Sequence, residues 1–83
     1  FVVVYRNYGN SSYGTAIIGT ISDSTISYSS EYVFNSATTY YISVSALDST
    51  HFVVGYCDSG NSEYGTAILG TIPPDFIPQI IMM

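Results

Sequence analysis

An 83-residue chain has room for one small domain, and with Cys57 as its only cysteine it cannot staple that domain with an internal disulfide. Arg6 is the single strong cation against six carboxylates, a formal net charge of −5, which excludes the basic patch that nucleic acid or an anionic bilayer demands. No apolar run reaches the roughly 18 to 20 residues that span a bilayer, and no charged segment followed by an apolar one opens the chain, so membrane insertion is not expected.

Residues 1–5 are apolar and largely β-branched and read as an inner strand. Residues 6–12 concentrate Asn, Gly and Ser, which tolerate the left-handed backbone of tight turns, and read as a loop. Residues 13–21 return to strand. Gly14 and Gly19 mark a bulge or a close backbone approach there, and apolar side chains on both faces favour a sheet covered on both sides, with Ile17 in the core. After a turn at 22–24, residues 25–34 alternate as a half-exposed strand broken near 29–31, where polar residues crowd together. A turn is expected at 35–38, an alternating strand at 40–47, and a short hairpin connection at 48–50 leading into a strand from Phe52. The predicted fold class is therefore all-β, an antiparallel meander of about six strands. Residues 73–83 carry three prolines, which remove backbone donors, so this apolar tail is expected to run extended or to be disordered.

The chain writes one stretch twice. Residues 1–21 read FVVVYRNYGNSSYGTAIIGTI, and residues 52–72, 51 positions later, read FVVGYCDSGNSEYGTAILGTI, with 15 of 21 positions identical. Such a period belongs to repeat architectures, in which one unit cannot bury its apolar face alone. The expected organisation is a repeat region over 1–72, with copies 1–51 and 52–72, the second incomplete, followed by the tail. Starting partway through a repeat, the sequence reads as an excerpt from a longer polypeptide. Four of the six differences lie in or beside the loops: Arg6/Cys57, Asn7/Asp58, Tyr8/Ser59 and Ser12/Glu63.

A unit of about 50 residues with four antiparallel strands is the size of one β-propeller blade. The hairpin YYISVSALDSTHFVVGY and the following NSEYGTAILGTI resemble blades of bacterial β-propeller repeat proteins, a likeness that covers residues 1–72 and implies about 1.6 blades. A closed ring would then need other chains or a longer parent. DSGNSEYG also resembles the Asp-box of sialidase-type propellers, but the tryptophan and the spacing are missing, so sialidase activity is not implied.

Asp58, Asn61 and Glu63 place three oxygen-bearing side chains within six residues, a hard-cation pattern, yet the first copy has Asn7, Asn10 and Ser12 there, and a solvated turn is the competing reading. His51 and Cys57 fall about 20 Å apart along one strand, too far for a thiolate–imidazole pair. The carboxylates are scattered through different turns, so neither an enzyme nor a cofactor is expected. Among nine tyrosines, Tyr8, Tyr13, Tyr56 and Tyr64 could stack on sugars, with loop residues such as Asn10, Asp58, Asn61 and Glu63 bonding hydroxyls; cross-strand packing is the alternative. Asn10-Ser11-Ser12 is a formal glycosylation sequon. Surface polarity rests on Ser, Thr, Asn and Tyr rather than on charge, a composition of secreted and cell-surface β-proteins. The expected function is thus a non-enzymatic extracellular or surface repeat module, a scaffold or a protein- or carbohydrate-binding surface. The alternatives are a lectin assembled as a ring and a self-associating β-fragment pairing through strand edges.

Overall fold

The computed structural model of the chain describes residues 1–72, which form one six-stranded antiparallel sheet. The strands are β1 (Val2–Asn7), β2 (Tyr13–Ser22), β3 (Thr25–Tyr28), β4 (Tyr32–Ala46), β5 (His51–Asp58) and β6 (Tyr64–Thr71), with short 3-10 turns at Tyr8–Asn10 and Ser59–Asn61. The order is β1-β2-β4-β5-β6. β2 is long enough to hold two neighbours on one side: β4 takes its first half, opposite Tyr13 to Ala16, and β3 takes Gly19 to Ser22. The expected break near 29–31 is the gap between β3 and β4. The tail at 73–83 lies outside the described residues. No helix among them is long and apolar enough to cross a membrane, a statement that does not bear on β-barrels.

The expected turn at 35–38 is not a turn. β4 runs through it for 15 residues, and the polar residues that suggested a reversal are absorbed by a bulge. Thr38 lies opposite Tyr13 and Asn35 opposite the next residue, Gly14, leaving Ser36 and Ala37 as the extra residues. Their neighbours find partners from elsewhere in the fold. The Asn35 amide donates to Thr39 Oγ1 at 2.9 Å and to Asp58 Oδ1 at 3.1 Å, the Thr39 hydroxyl donates to the Ala37 carbonyl at 2.8 Å, and the Thr39 N–H reaches the Ser12 carbonyl at 3.2 Å. Thr39 is completely buried, and each of its polar groups in this network is satisfied.

A second irregularity, between Tyr40 and Ser43, contains Tyr41 in the left-handed region at φ 53°. Together these two features bend β4 so that its halves serve different layers. In a flat sheet with Thr39 opposite Asp58, Phe34 and Tyr56 would lie about 20 Å apart along the strands. Their rings instead meet edge to face with centroids 5.1 Å apart. The sheet therefore folds on itself at β4, with β1, β2, β3 and the first half of β4 in one layer and the second half of β4, β5 and β6 in the other.

Both layers are built on the same hairpin, β1–β2 in one and β5–β6 in the other, and they use it oppositely. Directly opposed residues share a face, so Val2, Val4, Ala16 and Ile18 form one side of the first hairpin and Val3, Tyr5, Thr15 and Ile17 the other. The first hairpin turns Ala16 and Ile18 inward. The second turns inward Val54, Tyr56 and Ile68, the equivalents of Val3, Tyr5 and Ile17. The repeats of Ala16 and Ile18, Ala67 and Leu69, face out, and exposure changes from 6% at Ile18 to 65% at Leu69. Ile17 itself is only half-buried; the core position is its neighbour. An apolar cleft of about 230 Å³ lies between the layers, lined by Ala16, Ile18, Phe34, Phe52 and Val54 among others.

Close packing also separates the repeated glycines. A Cβ on Gly14 would sit 2.7 Å from the Phe34 ring, whereas a Cβ on Gly65 would meet nothing within 4 Å. Phe34 leans into the first copy where the backbone is bare, and no described residue takes that seat in the second.

Paired substitutions in the repeat test this asymmetry by urea unfolding. Ile18→Ala is expected to cost roughly 2 to 5 kcal/mol, and Leu69→Ala to stay within about 0.5 kcal/mol of the parent. Equal losses at the two sites would show that the faces are misassigned. Thr39→Val, which removes a buried hydroxyl and strands its two partners, should cost about 1 to 3 kcal/mol.

Candidate functional site

The two hairpin loops share one backbone. Each starts with an Asn or Asp whose side chain accepts from the glycine two residues on, Asn7 Oδ1 from Gly9 N at 3.1 Å and Asp58 Oδ1 from Gly60 N at 2.9 Å. Each closes through a main-chain bond, Ser12 N to Asn7 O at 2.9 Å and Glu63 N to Asp58 O at 2.8 Å. Each then passes two consecutive residues through the left-handed region: Ser11 and Ser12 at φ 54° and 60°, Ser62 and Glu63 at φ 54° and 62°. The shared Gly-Asn-Ser core sets the path, while the residues around it change from copy to copy.

Both loops meet β4 at its bend. Ser12 accepts from the Thr39 N–H, and Asp58 lies opposite Thr39 in the β4–β5 ladder. The eight residues singled out in the sequence take the following places. Tyr8 and Asn10 are exposed on the first loop, Tyr8 at 74%, and Tyr13 is half-buried in the β2 ladder, opposite Asn7 and Thr38. Asn61, Glu63 and Tyr64 are exposed on the second loop and the start of β6. Asp58 is half-buried and its Oδ1 is committed to Asn35 and Gly60, a structural role that leaves little for a ligand. Among the described residues no three His, Cys, Asp or Glu side chains gather into a metal-sized group. Tyr56, a candidate for sugar stacking, is instead buried against Phe34, and burial followed by the nearby Asp58 charge pushes its phenol pKa up.

The structure assembles a site that the sequence reading missed. Arg6, on the face of β1 that looks towards the bend, places its guanidinium 4.3 Å from the Tyr8 ring centroid and 4.8 Å from that of Tyr40. This cation–π clamp is worth about 0.5 to 1 kcal/mol per ring at an exposed position. The second copy has Cys57 and Ser59 in place of Arg6 and Tyr8, so cation and ring are absent together. Tyr41 follows Tyr40 with its ring centroid 6.1 Å away and 88% of its surface exposed. Val4, Tyr5, Arg6, Tyr40, Tyr41 and Ile42 border an open groove of about 380 Å³. A bulky residue held at positive φ stores backbone strain, and here that strain presents a ring to solvent. The signal in the sequence was the Tyr40-Tyr41 doublet, which alternation had assigned to opposite faces of a regular strand.

On the far face of the first layer, the Tyr5 hydroxyl donates to Glu31 Oε2, which also accepts from Asn7 Nδ2 at 3.0 Å. The hydrogen bond to Glu31, with smaller contributions from burial and from the carboxylate charge, pushes the Tyr5 phenol from 10.0 up to about 12. At the β4–β5 hairpin, Asp48 lies 2.9 Å from His51 Nδ1 and accepts from Thr50 N at 2.8 Å. The Thr50 amide first and His51 second draw the Asp48 carboxyl down to about 2. Cys57 donates to the Glu63 carbonyl at 3.3 Å.

Compared with known proteins, the chain matches no family model, no curated protein and no solved structure.

The Tyr5 bond favours the protonated phenol in the folded state. Its contribution to stability is thus complete below about pH 10 and is lost as the pH rises through about 12. Ultraviolet titration of the phenolates should show one tyrosine with a midpoint near 12, and Glu31→Gln should move it towards 10. An unchanged titration in the variant would remove Glu31 as the cause.

Proposed function

We propose that the chain is a non-enzymatic repeat module of a secreted or cell-surface protein, blade-like in the manner of β-propeller repeats, whose loops display a ligand- or protein-binding surface. The observation that carries this reading is the pair of loops. They follow one backbone path, set by residues the copies share, while Arg6/Cys57, Tyr8/Ser59 and Ser12/Glu63 vary on it. A frame that holds its shape while its side chains change suits recognition, because the contact residues are free to differ between repeats without cost to the fold. Both loops abut β4 at Thr39, so the variable side chains cluster about the bend.

The reading assigns no reaction. The nearest approach to a catalytic pair, Asp48 and His51, lies on an exposed hairpin tip, and the Asp48 carboxylate is spent on Thr50. For secretion or surface display the support is compositional: 8% charged residues, with polarity supplied by hydroxyls and amides.

The groove beside Tyr40 and Tyr41 favours carbohydrate over other small ligands. An exposed ring offers a stacking face for the apolar side of a sugar, and the Arg6 guanidinium adds hydrogen-bond donors beside it. Asn10, Asn61, Glu63 and Tyr64 are the exposed polar and aromatic groups that the two loops and the start of β6 add to the proposed surface. Assembly of several chains into a lectin ring is the extended form of the same reading.

Tyr41→Gly is the discriminating variant, since glycine accepts the left-handed backbone and the exposed ring contributes little burial. Its unfolding free energy is expected within about 0.5 kcal/mol of the parent or slightly above it. On a glycan array the parent should bind saturably and the variant at least tenfold more weakly, about 1.4 kcal/mol. A clean null for the parent across plant, microbial and animal glycans sinks the carbohydrate reading.

A further inference from the structure

We infer that the two outward faces of the folded chain are complementary to each other, and that a second copy of the chain docks head to tail across them, reproducing between molecules the contact that joins the two hairpins within one. This rests on the reading of the chain as a repeat module and names the module's partner.

Inside the molecule, the β1–β2 hairpin contributes the face of Val2, Val4, Gly14, Ala16 and Ile18, and the β5–β6 hairpin contributes the face of Phe52, Val54, Tyr56 and Ile68. The same hairpins carry the converse faces outward. On β1–β2 the converse face carries Phe1, Val3, Tyr5, Thr15, Ile17 and Gly19, identical one for one with Phe52, Val54, Tyr56, Thr66, Ile68 and Gly70 on the matching face of the second hairpin; Thr15 and Gly19 are buried among their neighbours on it, Tyr5 and Ile17 are half-buried, and Phe1 and Val3 are exposed. On β5–β6 the outward residues Val53, Gly65, Ala67 and Thr71 match Val2, Gly14, Ala16 and Thr20, and three changes fall on that face, Val4 to Gly55, Arg6 to Cys57 and Ile18 to Leu69, the second of which replaces a cation with a neutral side chain. Each outward face thus repeats in sequence one wall of the apolar cleft already present between the layers.

Both faces are open to a partner. Phe1, Val3 and Val33 are about half exposed on the first, with the Tyr5–Glu31 pair as its polar part, and Leu69 is exposed among small residues on the second. The unfilled space over Gly65, where Gly14 receives Phe34, leaves that surface unobstructed. Because the two faces are different surfaces, the contact is heterologous and the product an open stack unless the rotation closes it. The Phe34 contact has no counterpart in this junction, so it is weaker than the interior one.

Sedimentation of the full chain, with two variants, tests the arrangement. Val3→Lys blocks one face and Leu69→Lys the other; both positions are exposed, and strand content by circular dichroism confirms that each variant folds. Val33→Lys and Ala67→Arg substitute where one does not. The parent should show a weight-average mass rising from one chain to at least twice that over a roughly hundredfold concentration range. Each variant alone should stay at the mass of one chain, because every junction needs both faces. Mixed in equal amounts, the two should form pairs and nothing larger. A parent that stays monomeric, a variant that still associates alone, or a mixture that does not pair would each overturn the proposal. Glycan binding lost on Tyr41→Gly reads the module proposal separately, so a monomeric chain that still binds through Tyr41 would remove the stacking and spare the module.

Discussion

Thr39 is the residue on which the architecture turns. It is buried at the middle of β4, where a continuous strand has to leave one layer and enter the next, and a buried hydroxyl is tolerated only if it is bonded. Its hydroxyl reaches the Ala37 carbonyl and receives the Asn35 amide; its N–H reaches the first loop, and Asp58 of the second loop lies opposite. The bend is therefore held by contributions from both hairpins. Without it, β4 would run straight, Phe34 could not meet Tyr56, and the two apolar faces that make the core would look away from each other.

Given that bend, the repeated hairpin has no preferred inside. A strand with period-2 alternation normally declares one apolar face, and slipping it by one residue would exchange the faces. Here both faces of the hairpin are apolar, and the bend decides that Ile18 is buried in one copy while Leu69, its equivalent, is exposed in the other. Strands apolar on both sides suit a sheet with neighbours above and below. Among the described residues each copy has a neighbour on one side only.

The loops show the complementary economy. A backbone that enters the left-handed region twice in succession without glycine is held by its Asx cap and its closing main-chain bond rather than by the varying side chains. Those side chains are then available for contact. The only strong cation in the chain is spent on one such contact, stacked between Tyr8 and Tyr40, and it pins the first loop to the strand that bears the exposed Tyr41 ring.

Much of this was legible beforehand, because it is local. The all-β class, the six strands, the loops between the repeated strands, the break near Ser30 and the hairpin at Asp48 follow from β-branched runs, turn residues and the repeat itself, features that act over a few residues. The sequence also showed which loop positions vary. What it could not show depends on partners distant along the chain. Asn35 to Thr38 carries turn-forming residues but stays in the strand, since Asp58 and Ser12 satisfy the polar groups that would otherwise favour a reversal. Ile17 and Ile18 are adjacent and both aliphatic, and only the layer lying over β2 makes Ile18 the buried one. The groove was hidden for the same reason: Arg6 and Tyr41 are 35 residues apart, and the bend at Thr39 is what brings them to one site. The sequence by itself determined the hairpins and their loops through short-range propensity; the tertiary structure decided which face of each is core, because that choice is made by whatever packs against it.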